Sequence, residues 1–433
     1  MNKQHFDTLC IHGGTSPDPS TGSRALPVHR TTSFVFKDTA HAAAIFAGTV
    51  PGHIYSRISN PTQESLEERI ALVEGGKAAL VTASGTSAIF YAIANLARQG
   101  DSIVSASNLY GGSFTMFQNI LPEFGIKTKF VKTGDYDGFA AAIDSTTRAI
   151  FLEMVGNPSL DVTDITAMAD LAHAHGLPLL VDATFCTPAL CRPLEHGADI
   201  VIHSLTKWMG GHGTALGGVV VDRGSFSWKD SKFSLYALPD PSFGGLRWGH
   251  DLPEALPPYI SRMRSVPLRN LGACLSADNC WMFLQGLETL PLRMERHSSN
   301  GLCVARFLEN HPKVLWVRYP GLTSDPSYPL AQKYLPQGAG GMVVFGIKGA
   351  RGGQSGAKET GLKFINSLQL FSHLANVGDA KSLALHPAST THSQMTEEQQ
   401  ITAGLAPELI RLSIGLEHQD DILADLEQAL DQA

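Results

Sequence analysis

From about residue 61 the chain alternates between two hydrophobic patterns. Short runs rich in β-branched residues read as buried strands: "AALVTAS", "DSIVSAS", "KTKFVK", "RAIFLEM", "PLLVDA", "DIVIHS" and "GGVVVD". Between most of them lie amphipathic stretches such as "PTQESLEERIALVEGG" and "VTDITAMADLAHAHG". In the second, Ile165, Met168, Ala169 and Ala172 recur at i, i+3, i+4 and i+7, the spacing of one helix face. Strands alternating with helices predict an α/β fold, a mostly parallel seven-stranded sheet with helices on both faces. Such a sheet binds ligands outside the carboxyl ends of its strands.

Other regions depart from this pattern. Residues 1–60 are rich in Gly, Pro, Ser and Thr with little periodicity, which predicts an N-terminal arm. Residues 223–262 form an aromatic, Pro/Gly-rich stretch, and loops of that length often serve as lids or binding loops. One long helical stretch is expected over about 265–311. After it, "KVLWVRYP", "GMVVFGI" and "KETGLKFINSLQ" predict a smaller C-terminal α+β domain. The expected division is an arm at 1–60, a large domain at 61–290 and a small domain at 291–433.

Composition narrows the partners. The 433 residues are 43% hydrophobic and 17% charged, enough for a substantial core. The net charge of -7 argues against nucleic acid or an anionic membrane surface. No apolar run approaches the roughly 20 residues of a membrane span, and the N-terminus lacks a signal-like segment, so a cytoplasmic protein is expected. The six cysteines include no C-x-x-C pair and read as buried thiols in a reducing compartment. The 17 histidines show no zinc spacing, so no metal is expected.

The stretch "HSLTKWMGGHG" carries Lys207 just past the end of a predicted buried strand. A lysine there is nucleophilic if desolvation lowers its pKa, and it can form a Schiff base; a solvated lysine is the ordinary alternative. Ser204 and Thr206 flank it and could hydrogen-bond a phosphate. Asp182 ends the strand "PLLVDA", where a carboxylate could pair with the protonated pyridine nitrogen of pyridoxal phosphate (PLP) or simply cap a helix. "TASGTSAI" reads as strand, Ser84-Gly85-Thr86, then helix, and a helix N-terminus binds phosphate through its free N–H groups. An ordinary glycine turn is the alternative. The dinucleotide and P-loop fingerprints are missing.

Together, "HSLTKWMGGHG", "TASGTSAI", "YSRISNPT", "NLYGGS", "EMVGNP", "VDATF" and "LIRLSIGLE" resemble the signatures of the Cys/Met-metabolism enzymes that use PLP. They follow that family's order from about residue 50 to 418. The resemblance implies a fold type I PLP-transferase with PLP as cofactor. It implies that Lys207 holds PLP covalently and shuttles protons, that Asp182 pairs with the ring nitrogen and that Tyr110 stacks on the ring. Ser84, Gly85, Thr86, Thr184, Ser204 and Thr206 belong to the cofactor site, largely around the phosphate. Tyr55 and Arg57 reach a neighbouring subunit's site, which implies at least a dimer, and the family implies a homotetramer built as a dimer of dimers. Asn157 lies near the ring oxygen and the substrate carboxylate, Arg411 clamps that carboxylate, and Asn376 stands where many relatives have serine. Ala183 stands where many relatives carry asparagine.

Within the family, the 223–262 loop, "QGLETLPLRMERH" and "FSHLANVGDAKSLALHPASTTH" are similar to the sulfhydrylase branch. That implies γ-replacement on O-acetyl-L-homoserine by sulfide or a small thiol, giving homocysteine or methionine and acetate. Cystathionine γ-synthase and methionine or cystathionine γ-lyase chemistry are the alternatives. The γ-lyase reading loses support because Tyr110-Gly111-Gly112 lacks the cysteine that methionine γ-lyases typically carry there. A non-enzymatic α/β anion-binding module is the competing class.

Overall fold

The computed structural model describes residues 4–349, 356–390 and 406–433. The last two residues of the stretch 371–392 lie outside them. Seven strands form the main sheet: β1 (Ala78–Thr82), β2 (Ser102–Ala106), β3 (Lys127–Val131), β4 (Thr147–Glu153), β5 (Leu179–Asp182), β6 (Ile200–Ser204) and β7 (Gly218–Asp222). Their order is β1-β7-β6-β5-β4-β2-β3. All neighbours are parallel except those of β7, which is antiparallel to β1 and β6. No helical crossover joins β6 to β7; the chain turns back on itself after Ser204, so the return strand must run the other way. β2, β6 and β7 are buried almost end to end. That double-sided burial is why they read as continuous apolar runs rather than alternating ones.

The helix Gly85–Ala94 leaves the end of β1. Ser84 caps it: its hydroxyl accepts from the Ser87 N–H while the Ser87 hydroxyl accepts from the Ser84 N–H, a reciprocal capping box. Two glycines bring this helix start against the sheet. A Cβ at Gly85 would stand 2.6 Å from Ser204 Cβ, and one at Gly218 would stand 2.2 Å from the Ser84 carbonyl oxygen. Only glycine permits either approach.

A second sheet has the order β10-β11-β12-β9-β8, formed by β8 (Val314–Arg318), β9 (Met342–Ile347), β10 (Ser372–His373), β11 (Leu383–Leu385) and β12 (Leu409–Ser413). Its pairs are antiparallel except β10 with β11. It has its own apolar cluster, including Leu308, Phe345, Phe364, Ile410 and Leu426.

Two expectations need correction. The helical stretch after residue 263 is not continuous. A π-helical segment, Arg264–Leu268, and one turn, Arg269–Leu271, stop at Gly272 with φ 83°. The helices Ala277–Glu288 and Leu290–Glu309 then meet at Thr289, with Pro291 opening the second. The 223–262 stretch is no bare loop: Trp228, Phe233, Tyr236, Trp248 and Tyr259 are buried. The Trp228 ring stacks on both Tyr236 and Tyr259, with centroids 4.7 and 5.0 Å away. Those buried rings anchor the segment to the large sheet's core. The arm has two short helices, Phe6–His12 and Thr39–Phe46, and exposes Val35 and Phe46. All six thiols are free; four are buried, while Cys274 and Cys303 are half-buried. No described helix is long and apolar enough to cross a membrane.

Candidate active site

Lys207 sits in the turn after β6, half-buried. Its ammonium donates to Asn376 Oδ1 at 2.5 Å, a partner 169 positions away in sequence. Burial, and secondarily the positive charge of Arg411, pull its pKa down from 10.5 to about 8. A substantial fraction of this amine is therefore neutral and nucleophilic near physiological pH.

Asp182 is the last residue of β5 and lies in register with Ile202 of β6. Opposed residues of neighbouring strands share a face, and so do positions i and i+2. Asp182 and Ser204 therefore project from the same side of the sheet. The helix start at Gly85 packs on that side as well. Asp182 Oδ1 accepts the Thr184 N–H at 2.9 Å. Burial raises the Asp182 pKa, and the Thr184 hydrogen bonds oppose the shift. Asp182 caps no regular helix, so the capping alternative falls away.

At the helix start, the N–H groups of Gly85 and Thr86 have no carbonyl within their own helix to reach. Ser204 lies against Gly85, and its own N–H donates to Thr184 Oγ1 at 2.9 Å. Thr206 is partly committed: its hydroxyl donates to the Gly217 carbonyl at 3.3 Å and accepts the Gly217 N–H at 3.1 Å. Ser84 likewise spends its hydroxyl on the helix cap.

The small sheet supplies the cation. Arg411 is the third residue of β12, and its guanidinium donates to Asn157 Oδ1 at 3.4 Å. Burial lowers its pKa to about 10, and the nearby Tyr110 opposes this. Tyr110 opens the helix Gly111–Thr115 with its ring half-exposed. The structure thus brings Lys207, Asp182, Ser84, Gly85, Thr184, Ser204 and Thr206 to one edge of the large sheet. Asn376 reaches Lys207 there, while Asn157, Tyr110 and Arg411 adjoin one another. It does not bring Tyr55 and Arg57 to them. Arg57 lies over the Tyr55 ring at 5.3 Å and donates to the Arg269 carbonyl. Among the described residues neither has a hydrogen bond or ion pair with Lys207, Asp182 or the helix Gly85–Ala94.

Two residues escaped the sequence reading. Glu153 ends β4 beside Asp182. Arg293 is buried and donates to the carbonyls of Trp208, Met209 and Gly286, clamping the turn that carries Lys207. Burial lowers its pKa to about 10. Both lie in stretches singled out above, "EMVGNP" and "QGLETLPLRMERH", but only the fold shows what they touch.

A half-buried carboxylate, a half-buried amine of lowered pKa and unpaired helix N–H groups share one edge. The sequence profile described as "Cys/Met metabolism PLP-dependent enzyme" matches residues 7–431. The chain belongs to this family. As a member of a PLP-dependent enzyme family it is an enzyme, and the anion-binding module is excluded. It is 51% identical to the O-acetyl-L-homoserine sulfhydrylase of Leptospira meyeri over 98% of this chain and 96% of that one. It is 48% identical to the homocysteine synthase of Schizosaccharomyces pombe over the whole of both chains. In structure it is similar to a putative O-acetylhomoserine (thiol)-lyase from Campylobacter jejuni, solved with an N'-pyridoxyl-lysine-5'-monophosphate. The TM-score is 0.93 and the identity 39%, covering 99% of this chain and 100% of that one. The residues present fit the family's cofactor. Asp182 is a half-buried carboxylate suited to a pyridinium, and the absence of a Cβ at Gly85 lets the helix start approach Ser204 at the same edge.

Proposed function

We propose that this enzyme replaces the γ-acetoxy group of O-acetyl-L-homoserine with sulfide or a small thiol such as methanethiol, breaking the Cγ–O bond and forming Cγ–S. The products are homocysteine or methionine, and acetate. The observation that carries this reading is the Lys207 amine, its pKa drawn down to about 8 at the edge where Asp182, the helix N-terminus and Arg411 converge. Relatives with 44–51% identity over nearly the whole chain, named for this chemistry, support it.

When bound, PLP supplies an electron sink that spreads negative charge from the substrate's α-carbon into its pyridine ring. This chain's residues do the rest. Lys207 would hold the cofactor through Nζ, and once released it takes and returns protons at the substrate's α- and β-carbons. A neutral amine on a long flexible stem can serve both positions. Asp182 keeps the ring nitrogen protonated. Gly85 and Thr86 N–H groups, with the Ser204 hydroxyl, would hold the phosphate, and Ser84, Thr184 and Thr206 would line its site, the hydroxyls of Ser84 and Thr206 being engaged with the helix cap and Gly217. Tyr110 stacks on the ring. Arg411 grips the substrate carboxylate bidentately, with Asn157 and Asn376 lining the same pocket.

Tyr55 and Arg57 lack contact with their own chain's site, and they complete the site of a second copy in a homotetramer built as a dimer of dimers. The exposed apolar residues of the arm support such an assembly. The chain divides into an arm at 1–60, a cofactor-binding domain at 61–290 and a small domain at 291–433, and it works in the cytoplasm.

The test is product formation from O-acetylhomoserine offered with sulfide, methanethiol or cysteine, with O-succinylhomoserine in parallel. Homocysteine from the acetyl ester and sulfide at the highest kcat/KM supports the reading. A preference for cysteine, or keto-acid and ammonia release without thiol, would reassign the enzyme to γ-synthase or γ-lyase chemistry.

A further inference from the structure

We propose that Glu153 is a positioning residue of this active site: its carboxyl grips the backbone of Tyr110 beside Asp182 and so sets the pose of the stacking ring. The proposal rests on the reading of the Lys207 site given above and adds to it a residue with no role there.

Glu153 is the last residue of β4, and its register partner on the neighbouring parallel strand is Asp182, the last residue of β5. The two carboxyls therefore stand side by side on one face, at the carboxyl edge of the sheet. Glu153 is buried, with 7% of its surface exposed. Its Oε1 accepts the Tyr110 N–H at 2.6 Å. The Asn157 N–H also points to this carboxyl. One side chain thus anchors the segments that carry two residues of the proposed site. The backbone of Glu153 is itself fixed, because its carbonyl accepts the Thr163 hydroxyl at 2.9 Å.

Tyr110 needs such an anchor. It stands at the start of a five-residue helix, where the leading N–H groups have no intrahelical acceptor. The residue is 53% exposed, so packing alone holds its ring weakly. Gly112 clears space for the ring: a Cβ there would lie 2.6 Å from Tyr110 Cε1. A ring with that freedom is aimed by its backbone. A buried acid next to another acid is also an expensive choice where an apolar side chain would fill the space. Burial and the neighbouring Asp182 push the Glu153 pKa well above the usual carboxylate range, which favours a neutral acid that leaves the Asp182 charge undisturbed. The two N–H groups explain why an acceptor is kept there.

The experiment compares holoenzymes of wild type, Glu153→Ala, Glu153→Asp and Glu153→Gln. It records the visible absorbance of the bound cofactor together with kcat and KM for O-acetylhomoserine. Ala removes the acceptor, and Asp retracts it by one methylene. Both should shift the absorbance maximum and lower kcat/KM about tenfold, the scale of one buried hydrogen bond left unmade. Gln keeps an oxygen that can accept from Tyr110 and should recover most of the loss. A wild-type spectrum and kcat/KM in Glu153→Asp would overturn the proposal. So would a Glu153→Gln defect as deep as that of Glu153→Asp. If Glu153→Ala does not fold, the Asp and Gln pair decides alone. A wild-type protein that takes up no PLP would refute the underlying site reading, whereas an active, coloured wild type with indifferent variants refutes only the role of Glu153.

Discussion

Replacing Gly85 with alanine puts a single methyl group at the point where the helix Gly85–Ala94 touches β6. The new Cβ would stand 2.6 Å from Ser204 Cβ, 2.9 Å from its Oγ and 3.0 Å from its Cα. Ordinary contact begins at 3.4 Å, so the shortfall is about 0.8 Å. Ser204 cannot absorb this, because its N–H is bonded to Thr184 and it ends an interior strand. The helix start must therefore retreat. A phosphate bonded by Gly85 and Thr86 at about 2.9 Å would then face donors at about 3.7 Å, beyond hydrogen-bond range. Charge-assisted bonds of this kind contribute about 1.5–3 kcal/mol each, so partial loss of two removes about 2–4 kcal/mol. That corresponds to a Kd for PLP roughly 30- to 1,000-fold weaker. The assay is titration of apo-protein with PLP by visible absorbance, with circular dichroism confirming that the fold persists. A folded Gly85→Ala protein that binds PLP within threefold of wild type would show that this helix start does not hold the phosphate.

Further predictions follow from the same geometry. Only the neutral amine attacks a carbonyl, and the Lys207 pKa lies near 8 instead of 10.5. Covalent capture of PLP by apo-protein should therefore accelerate as pH rises toward 8 and level off above it; a rate still climbing from pH 9 to 10.5 would contradict the lowered pKa. Arg411→Ala should raise KM for the amino acid roughly 100-fold with a smaller effect on kcat, in keeping with a lost bidentate pair worth about 3 kcal/mol; an unchanged KM would remove Arg411 from the carboxylate site. Arg293→Met leaves the carbonyls of Trp208, Met209 and Gly286 without their donor, and should lower the free energy of unfolding by about 2–4 kcal/mol, read by urea titration. Co-expressing Arg57→Ala with Lys207→Ala should restore activity in mixed oligomers, because one of the shared sites regains both residues; inactive mixtures would place Arg57 in its own chain's site.

The parts legible in the sequence are those that local pattern dictates. Strands β2, β4, β5, β6 and β7 appear as apolar runs because interior strands are covered on both faces, and Lys207 and Asp182 stand out as ionisable groups at the ends of such runs. The helix start at Gly85 is readable from its Ser-Gly-Thr cap. Long-range contacts leave no such mark. Nothing near Lys207 in sequence indicates that Asn376 will meet its amine, and Glu153 gains meaning only once β4 lies beside β5. The 223–262 segment misleads because aromatic residues in a Pro/Gly-rich stretch suit an exposed lid and a buried anchor equally well; Trp228, Tyr236 and Tyr259 take the second role. The broken helix after residue 263 reflects Gly272 and Pro291, whose local signals compete with a strong apolar periodicity.

Borohydride reduction of the holoenzyme followed by peptide mapping asks most directly whether the cofactor is bound where the geometry converges. The account predicts loss of the visible absorbance and one pyridoxyl phosphate per chain, attached to Nζ of Lys207. Label on another lysine, or a protein that stays unlabelled after incubation with PLP, would contradict it.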